Sequence, residues 1–417
     1  MKKWLIILTV IFLAGGITSA TLAGYIYYNE LKTYEDHDKK ALRDDALENV
    51  YIKSSVPVEI HPTKGQPYVE FTQKYTDIIG FAPKYKLNIE EKEDTTYIDL
   101  QQIKDMSISL GVKEDKVSLV VYLPEKDIKK LSVEELIYDY YYRTKQVIDL
   151  ENINVAELDL DVENSEMKLN GRYEKINISA HASTLNMQSQ IPAEVRISGV
   201  GKQNLSGQFK RIVIKDNAYE VNINSEDESS VELECSSSQI RLEGKYEKID
   251  VNCDSSTIDV RSESICRLST NGHNNTINAD GAFEVIHLEE DEANVEVKTT
   301  MIPKSIEMKG ETDNSKFNLV LPSNISGYTL SCTSFREEYY NDYYTDKEYE
   351  ENFYEINKRI EQECYFRSDF ESIEKEENKG EIAYKYGDGK IPIALNVTRN
   401  VKLNINDGGY SSVAEVK

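Results

Sequence analysis

Arg172-Tyr173-Glu174-Lys175-Ile176-Asn177-Ile178 and Lys245-Tyr246-Glu247-Lys248-Ile249-Asp250-Val251 are nearly the same seven residues met twice in one chain. Each ends in an apolar–polar–apolar triplet. The triplet recurs as Leu158/Leu160, Val195/Ile197, Ile212/Ile214, Val231/Leu233, Leu268/Thr270, Ile286/Leu288 and Ile306/Met308, with successive copies starting 17 to 20 residues apart. A second triplet follows nine residues after the first: Met167/Leu169, Leu185/Met187, Val221/Ile223, Ile240/Leu242, Ile258/Val260, Ile277/Ala279 and Val295/Val297. In the third copy the pattern slips, with Leu205 the nearest match. In the last the offset grows to eleven, at Phe317/Leu319.

Alternation at period two marks a strand with one buried face. A nine-residue half-turn holds one short strand and one turn, and two halves close a coil of 18–19 residues. A lone coil cannot bury its apolar side, so coils must stack, about 4.8 Å apart. The expected fold is therefore all-β: a parallel β-solenoid, right-handed by the general preference of parallel connections, with nine visible coils on the order of 40 Å long. Lys175, Asn177, Lys248, Asp250 and Asp259 fall on its outer face. A left-handed hexapeptide helix would need apolar residues every six, and a calcium-binding nonapeptide roll would need Gly-Gly-x-Gly-x-Asp turns. Neither pattern occurs.

Cys235 and Cys253 occupy equivalent inward sites of adjacent coils, either as stacked thiols or as a bridge, and Cys266 shares the inward parity. Five cysteines are too few and too sparse for a disulfide framework. Cys332 and Cys364 flank a segment that breaks the pattern and are placed to tie its ends.

The remaining chain divides around the coils. Lys2 and Lys3 precede an uncharged run, Trp4 to Tyr28, long enough to cross a hydrocarbon core. Positive charge before it puts residues 1–3 in the cytoplasm, 4–28 in the membrane and the bulk of the chain outside. The other reading is a cleaved signal with an apolar region Leu5–Leu13 and small residues at Thr18, Ala20 and Ala23, giving a secreted protein. Residues 29–47 read as a charged stalk, and 48–128 as an N-terminal β cap ending in Val117–Pro124. The solenoid is expected over 129–330, with irregular early coils at Leu131/Val133, Tyr140/Tyr142 and Ile148/Leu150. Residues 333–380 form an acidic, Tyr-rich insertion, with an amphipathic helix over 346–365 carrying Tyr349, Phe353, Ile356, Ile360 and Cys364 on one stripe. Residues 381–406 return to strands around the turn Gly387-Asp388-Gly389, and 407–417 form a tail.

A formal net charge of -25 argues against nucleic acid as a partner. No nucleophile elbow, Cys-x-x-Cys, zinc-protease or nucleotide-binding pattern occurs, so no catalytic, cofactor or metal residue is assigned. His37, His61, His181, His273 and His287 lack ligand spacing. Glu35-Asp36-His37-Asp38 reads as a charged stalk before it reads as a metal site. Asp159 and Asp161 share an outer strand face, where an ordinary charged sheet is the first reading and acid–base work the second.

The order of features resembles the bacterial "putative adhesin" domain family. An export segment is followed by short strands, a strand ending in Leu-Pro (Val117–Pro124) and short coils. A second Leu-Pro follows at Leu321-Pro322, and then a Tyr-Gly-Asp-Gly segment (Tyr386–Gly389) with a final strand pair. The resemblance spans 48–330 and 381–406. The family's Ser-Gly-Asp turns are mostly missing, and the insertion at 333–380 departs from it. The resemblance implies a β-solenoid core, an envelope location and adhesion or envelope-stress roles, and brings no catalytic residues. The expectation is a non-enzymatic envelope protein presenting a solenoid to a protein or cell-wall glycan ligand. An accessory of a membrane envelope-stress signalling system is the alternative, and a polysaccharide-active enzyme the minor one.

Overall fold

The computed structural model describes residues 32–77, 84–104, 113–136, 146–199, 201–215, 219–310, 314–334, 357–358, 360–362, 364–378, 381–397 and 401–408. The chain forms two compact units, Met1–Ile153 and Asn154–Lys417. The described residues are nearly all strand. None of their helices is long and apolar enough to cross a membrane, and the expected anchor at 4–28 lies outside them.

In the second unit the two triplet series form two parallel ladders. On the first face Leu158, Ile176, Val195, Ile212, Val231, Ile249, Leu268, Ile286 and Ile306 lie one above another. On the second, Met167, Leu185, Gln203, Val221, Ile240, Ile258, Ile277, Val295 and Phe317 do the same. Every member of both ladders is buried. In the third copy the offset shortens to eight residues, from Val195 to Gln203, which is the slip seen in the sequence. Leu205 pairs with Met187 and Ile223, and Gln203, 3% exposed, simply holds an apolar position.

Two corners turn the chain between faces. At one, a residue in the left-handed region precedes a small buried one: Asn164-Ser165, Ala182-Ser183, Ser237-Ser238, Ser255-Ser256, Asn274-Asn275, Glu292-Ala293 and Asn314-Ser315. The buried side chain caps the corner of the coil before it. Ser183 Oγ accepts from Ser165 N at 3.0 Å, Ser256 Oγ from Ser238 N at 3.1 Å and Asn275 Oδ1 from Ser256 N at 2.9 Å. Buried backbone donors at a bend must find partners, and this column supplies them.

The other corner alternates from coil to coil. Gly171, Ser189, Gly207, Ser225, Gly244, Ser262, Gly281 and Thr299 stack in register. Each glycine opens a Gly-x-aromatic step, to Tyr173, Phe209, Tyr246 and Phe283, all fully buried. Each hydroxyl residue instead closes a wider bend on a carbonyl two residues on: Ser189 on Ile191 (2.6 Å), Ser225 on Asp227 (2.8 Å), Ser262 on Ser264 (3.0 Å) and Thr299 on Met301 (2.9 Å). The bend then delivers a small residue to the aromatic position, so Ala193 faces Phe209, Ser229 faces Tyr246 and Cys266 faces Phe283. Large against small is how successive layers fill space without voids or strain. The true repeat is therefore a pair of coils, 36 or 37 residues long (171 to 207, 207 to 244, 244 to 281). This is why two copies of one heptad opened the reading while their neighbours looked different.

The C-terminal end departs from chain order. Ile391–Val397 pairs in parallel with Ser305–Gly310 on one side and Gly327–Ser334 on the other. Val401–Asp407 likewise lies between Lys316–Leu321 and Cys364–Ser368. The last coil of the chain is thus the penultimate coil of the stack. The two final strands expected from the sequence are present, and each joins a different ladder. The insertion also shrinks, because Cys364–Ser368 and Glu374–Asn378 are strands. Glu381–Gly387 runs antiparallel between Gly327–Ser334 and Glu374–Asn378. Of the helix expected over 346–365, only 357–358 and 360–362 are described as helical. Cys364 already begins a strand, and 346–356 lie outside the described residues.

The first unit uses the same device. Asn49–Ser54 pairs in parallel with Thr95–Lys104 and with Asp127–Glu135. Val58–Thr63 pairs with Lys113–Pro124 and, at Ile60, with Ile148. The expected cap is therefore itself coiled, and its first coil is inserted between two later ones. The stalk is also corrected. Lys32–Ala41 is a strand antiparallel to Tyr68–Asp77, followed by a short helical turn, Asp44–Ala46, with Leu42, Ala46 and Leu47 buried. Charges mask this segment in sequence because the strand projects polar side chains while its apolar anchors come only after it. Tyr140/Tyr142 lie outside the described residues, as does most of the 407–417 tail.

Candidate functional site

The outer positions of the second face make two parallel columns of polar side chains. One runs Asn186, Asn204, Asn222, Arg241, Asp259, Asn278, Glu296; its neighbour runs Asn224, Glu243, Arg261, Asp280, Lys298. Their spacing is fixed by the backbone ladder beneath, which repeats about every 4.8 Å. Asn204 Nδ2 donates to Asn186 Oδ1 at 2.8 Å and Asn222 Nδ2 to Asn204 Oδ1 at 2.9 Å, so the amides point the same way coil after coil.

Beyond Asn222 the amides give way to charges. A shallow groove of about 340 Å³ is lined by Arg241, Glu243, Asp259, Arg261, Asp280 and Lys298, among others. Arg241 Nη2 lies 2.8 Å from Glu243 Oε1, Arg261 Nη1 3.5 Å from the same oxygen, and Lys298 Nζ 3.9 Å from Asp280. The Arg241 hydrogen bond holds the Glu243 carboxyl below its ordinary range. Asn278 Nδ2 donates to Asp259 Oδ1 at 2.9 Å. The result is a floor of alternating cations and carboxylates. It offers donors and acceptors in a fixed lattice and suits a polar, extended ligand better than an apolar one.

The residues expected to face outward do so. Lys175, Lys248 and Asp259 are exposed, and Asn177 and Asp250 are half-buried. On the first face Asn177 Nδ2 donates to Asp159 Oδ1 at 2.6 Å and Lys248 pairs with Asp250 at 3.0 Å. Asp159 and Asp161 sit on one strand face, with Asp159 engaged by Asn177 as a ladder member. The histidines are scattered: His37 meets Glu70 at 2.9 Å, His61 Glu59 at 3.4 Å, His273 Glu292 at 3.7 Å and His287 Glu307 at 3.2 Å. Among the described residues no three His, Cys, Asp or Glu side chains are grouped to hold a metal.

Sequence reading missed the groove. It singled out Asp259 but not Arg241 or Arg261, because outward residues carry no hydrophobic signal. Only the register, known once the coils are aligned, shows that they meet. In the first unit it also missed outer-face aromatics: Tyr51 and Tyr97 stack at 5.2 Å, and Lys39 Nζ lies 3.6 Å from the centre of the Tyr68 ring.

No family model matches the chain, and no curated protein matches it. A crystal structure of a putative cell adhesion protein from Clostridium sporogenes aligns with 90% of this chain and 100% of its own, at 10% identity and a TM-score of 0.16. A likeness that low carries no argument about fold or role.

Proposed function

We propose that this protein is a non-enzymatic, extracytoplasmic binding protein. In this reading it is held at the cell membrane by residues 4–28, with residues 1–3 inside, and winds its coils right-handed. It presents the outer second face of the second unit to a polar polymer of the cell envelope, with a cell-wall glycan as the first choice. The observation that supports this most is the register-locked lattice running from Asn186 to Lys298. A repeating ligand meets a polar side chain at the same spacing at each coil, so weak contacts add along the polymer. The rigid ladder has already ordered these side chains, which lowers the entropy lost on binding. The resemblance to the adhesin-like family points the same way.

The test is sedimentation of the purified protein with isolated cell-wall glycan. Asn204→Ala with Arg241→Ala and Arg261→Ala should lower retention at least tenfold while the circular dichroism spectrum stays unchanged. Equal retention of the triple variant would refute the face as the binding surface. Changes at Asn177, Lys248 and Asp250 test the opposite face in the same assay.

A further inference from the structure

Cys332 and Cys364 lie on either side of one corner of a coil, near the end of its first strand and at the start of its second. Cys332 lies in Gly327–Ser334 opposite Leu395, and Cys364 opens Cys364–Ser368 opposite Val401. Between these two strands the chain carries residues 335–363. Their sulfurs are 3.8 Å apart, and both side chains are buried, Cys332 completely and Cys364 to 7% exposure. The other inward cysteines are placed differently. Cys235 and Cys253 sit in consecutive coils joined by the regular ladder, and Cys266 faces Phe283.

We infer that Cys332 and Cys364 form a disulfide that closes the terminal coil over the coil 391–407. Side-chain rotation brings the two sulfurs from contact to the bonded separation of about 2.05 Å. The location of the bond gives it a purpose. The coil 391–407 is held on one side by the coil 305–321 and on the other by the coil that contains the two cysteines. In that outer coil residues 335–363 lie between the two strands, so no short connection holds them together. A covalent link between the end of one strand and the start of the other restores that connection and fastens the cover over the coil 391–407.

The chemistry is thiol–disulfide exchange with a donor disulfide, such as oxidised glutathione or an oxidoreductase. One cysteine thiolate attacks a donor sulfur, forms a mixed disulfide and releases one donor thiol. The second cysteine thiolate attacks the protein sulfur of that mixed disulfide, forms the Cys332–Cys364 bond and releases the second donor thiol. Two protein thiols lose two electrons and two protons, and the donor disulfide gains them. In the reduced, folded protein the Cys364 sulfur and burial hold the Cys332 thiol well above its ordinary range, so it is protonated and unreactive. Both thiols are buried in the folded protein, so a donor disulfide reaches them before the terminal coil has docked.

The inference goes beyond the binding role and is tested without reference to it. The purified full chain, in detergent, is refolded in a glutathione redox buffer, alkylated in denaturant and digested without reduction. The expected result is a linked peptide pair containing Cys332 and Cys364, with a urea midpoint that falls on adding reductant. In Cys332→Ala, Cys364 should become fully alkylated. In Cys332→Ala/Cys364→Ala, which keeps the buried volume nearly filled, the midpoint should no longer respond to reductant. Alkylation of both residues in a folded wild-type protein, or a bridge at Cys235–Cys253 alone, would overturn the inference.

Discussion

Ile393 stacks in parallel register on Ile306, although the strand that carries Leu330 and residues 335–363 separate them in the chain. The last coil is therefore an internal layer, bonded on both sides, and the same holds for the first coil of the first unit, Asn49–Thr63. A stack of coils is weakest at its ends, where a layer has one neighbour and an open edge. Burying the chain-terminal coils as inner layers, and covering the outer strand of the second unit with the antiparallel strands 381–387 and 374–378, protects both.

The first prediction concerns that inserted layer. Leu395 is fully buried between Met308 and Cys332. Leu395→Ala should cost about 2–5 kcal/mol of unfolding free energy, the range for large-to-small core changes. Urea denaturation followed by circular dichroism measures it. A cost near zero would mean that this coil is not part of the cooperative core.

The two-coil repeat makes a second prediction. Gly244 has φ of +115°, and a Cβ there would lie 2.1 Å from Ser225 O. Gly244→Ala should destabilise by more than ~1 kcal/mol, since an L side chain is strained at that φ and meets backbone that cannot yield. Gly207, with φ of +105° and a Cβ contact of 2.1 Å to Ser189 O, should behave alike. Ser262→Ala, at the alternate coil, loses one hydrogen bond and should cost only about 1 kcal/mol.

Glu290 supplies a pH prediction. It is 1% exposed, accepts a hydrogen bond from Asn275 Nδ2 at 2.9 Å, and burial pushes its carboxyl up to about 7. In the unfolded chain it titrates near 4.3. The folded state thus binds the proton more tightly, and stability from this group is full below about pH 4 and declines as pH rises towards 7. The loss is on the order of 3 kcal/mol. Denaturation midpoints at pH 5, 6 and 8 should show the decline, and Glu290→Gln should flatten it and stabilise the protein at pH 8. A wild-type slope that survives in Glu290→Gln would assign the effect elsewhere.

How much of this was legible in the sequence depends on what each residue faces. Inward residues announce themselves, because Ile176, Ile249 and Leu268 must be apolar to pack. The coil length, the two faces and the inward positions of Cys235, Cys253 and Cys266 followed from them. The Gly–Ser alternation is equally printed in the chain, but at twice the length of a coil. Chain order gives no hint that Ile393 precedes Leu330 in the stack, since insertion of a coil leaves no local signature. The Arg241–Arg261 groove was hidden for the opposite reason to the core: exposed positions accept almost any polar residue, so only register reveals which of them meet.

A fourth prediction separates binding from folding on that groove. Its ion pairs are exposed: Arg241 is 59% and Arg261 74% accessible at the side chain. Pairs so placed contribute little to stability. Arg241→Ala and Arg261→Ala should each shift the unfolding free energy by less than ~1 kcal/mol, as thermal denaturation will show. A large loss would make the lattice a structural element rather than a recognition face.

A crystal structure of residues 154–417 together with the first unit, at a resolution that places side chains, tests the stacked ladder most directly. One column should carry Ile176, Val195, Ile212, Val231, Ile249, Leu268, Ile286, Ile306, Ile393 and Leu330 in that order, with glycine and hydroxyl residues alternating at the corner. Ile393 lying beyond Leu330, or these side chains distributed among unrelated layers, would contradict it.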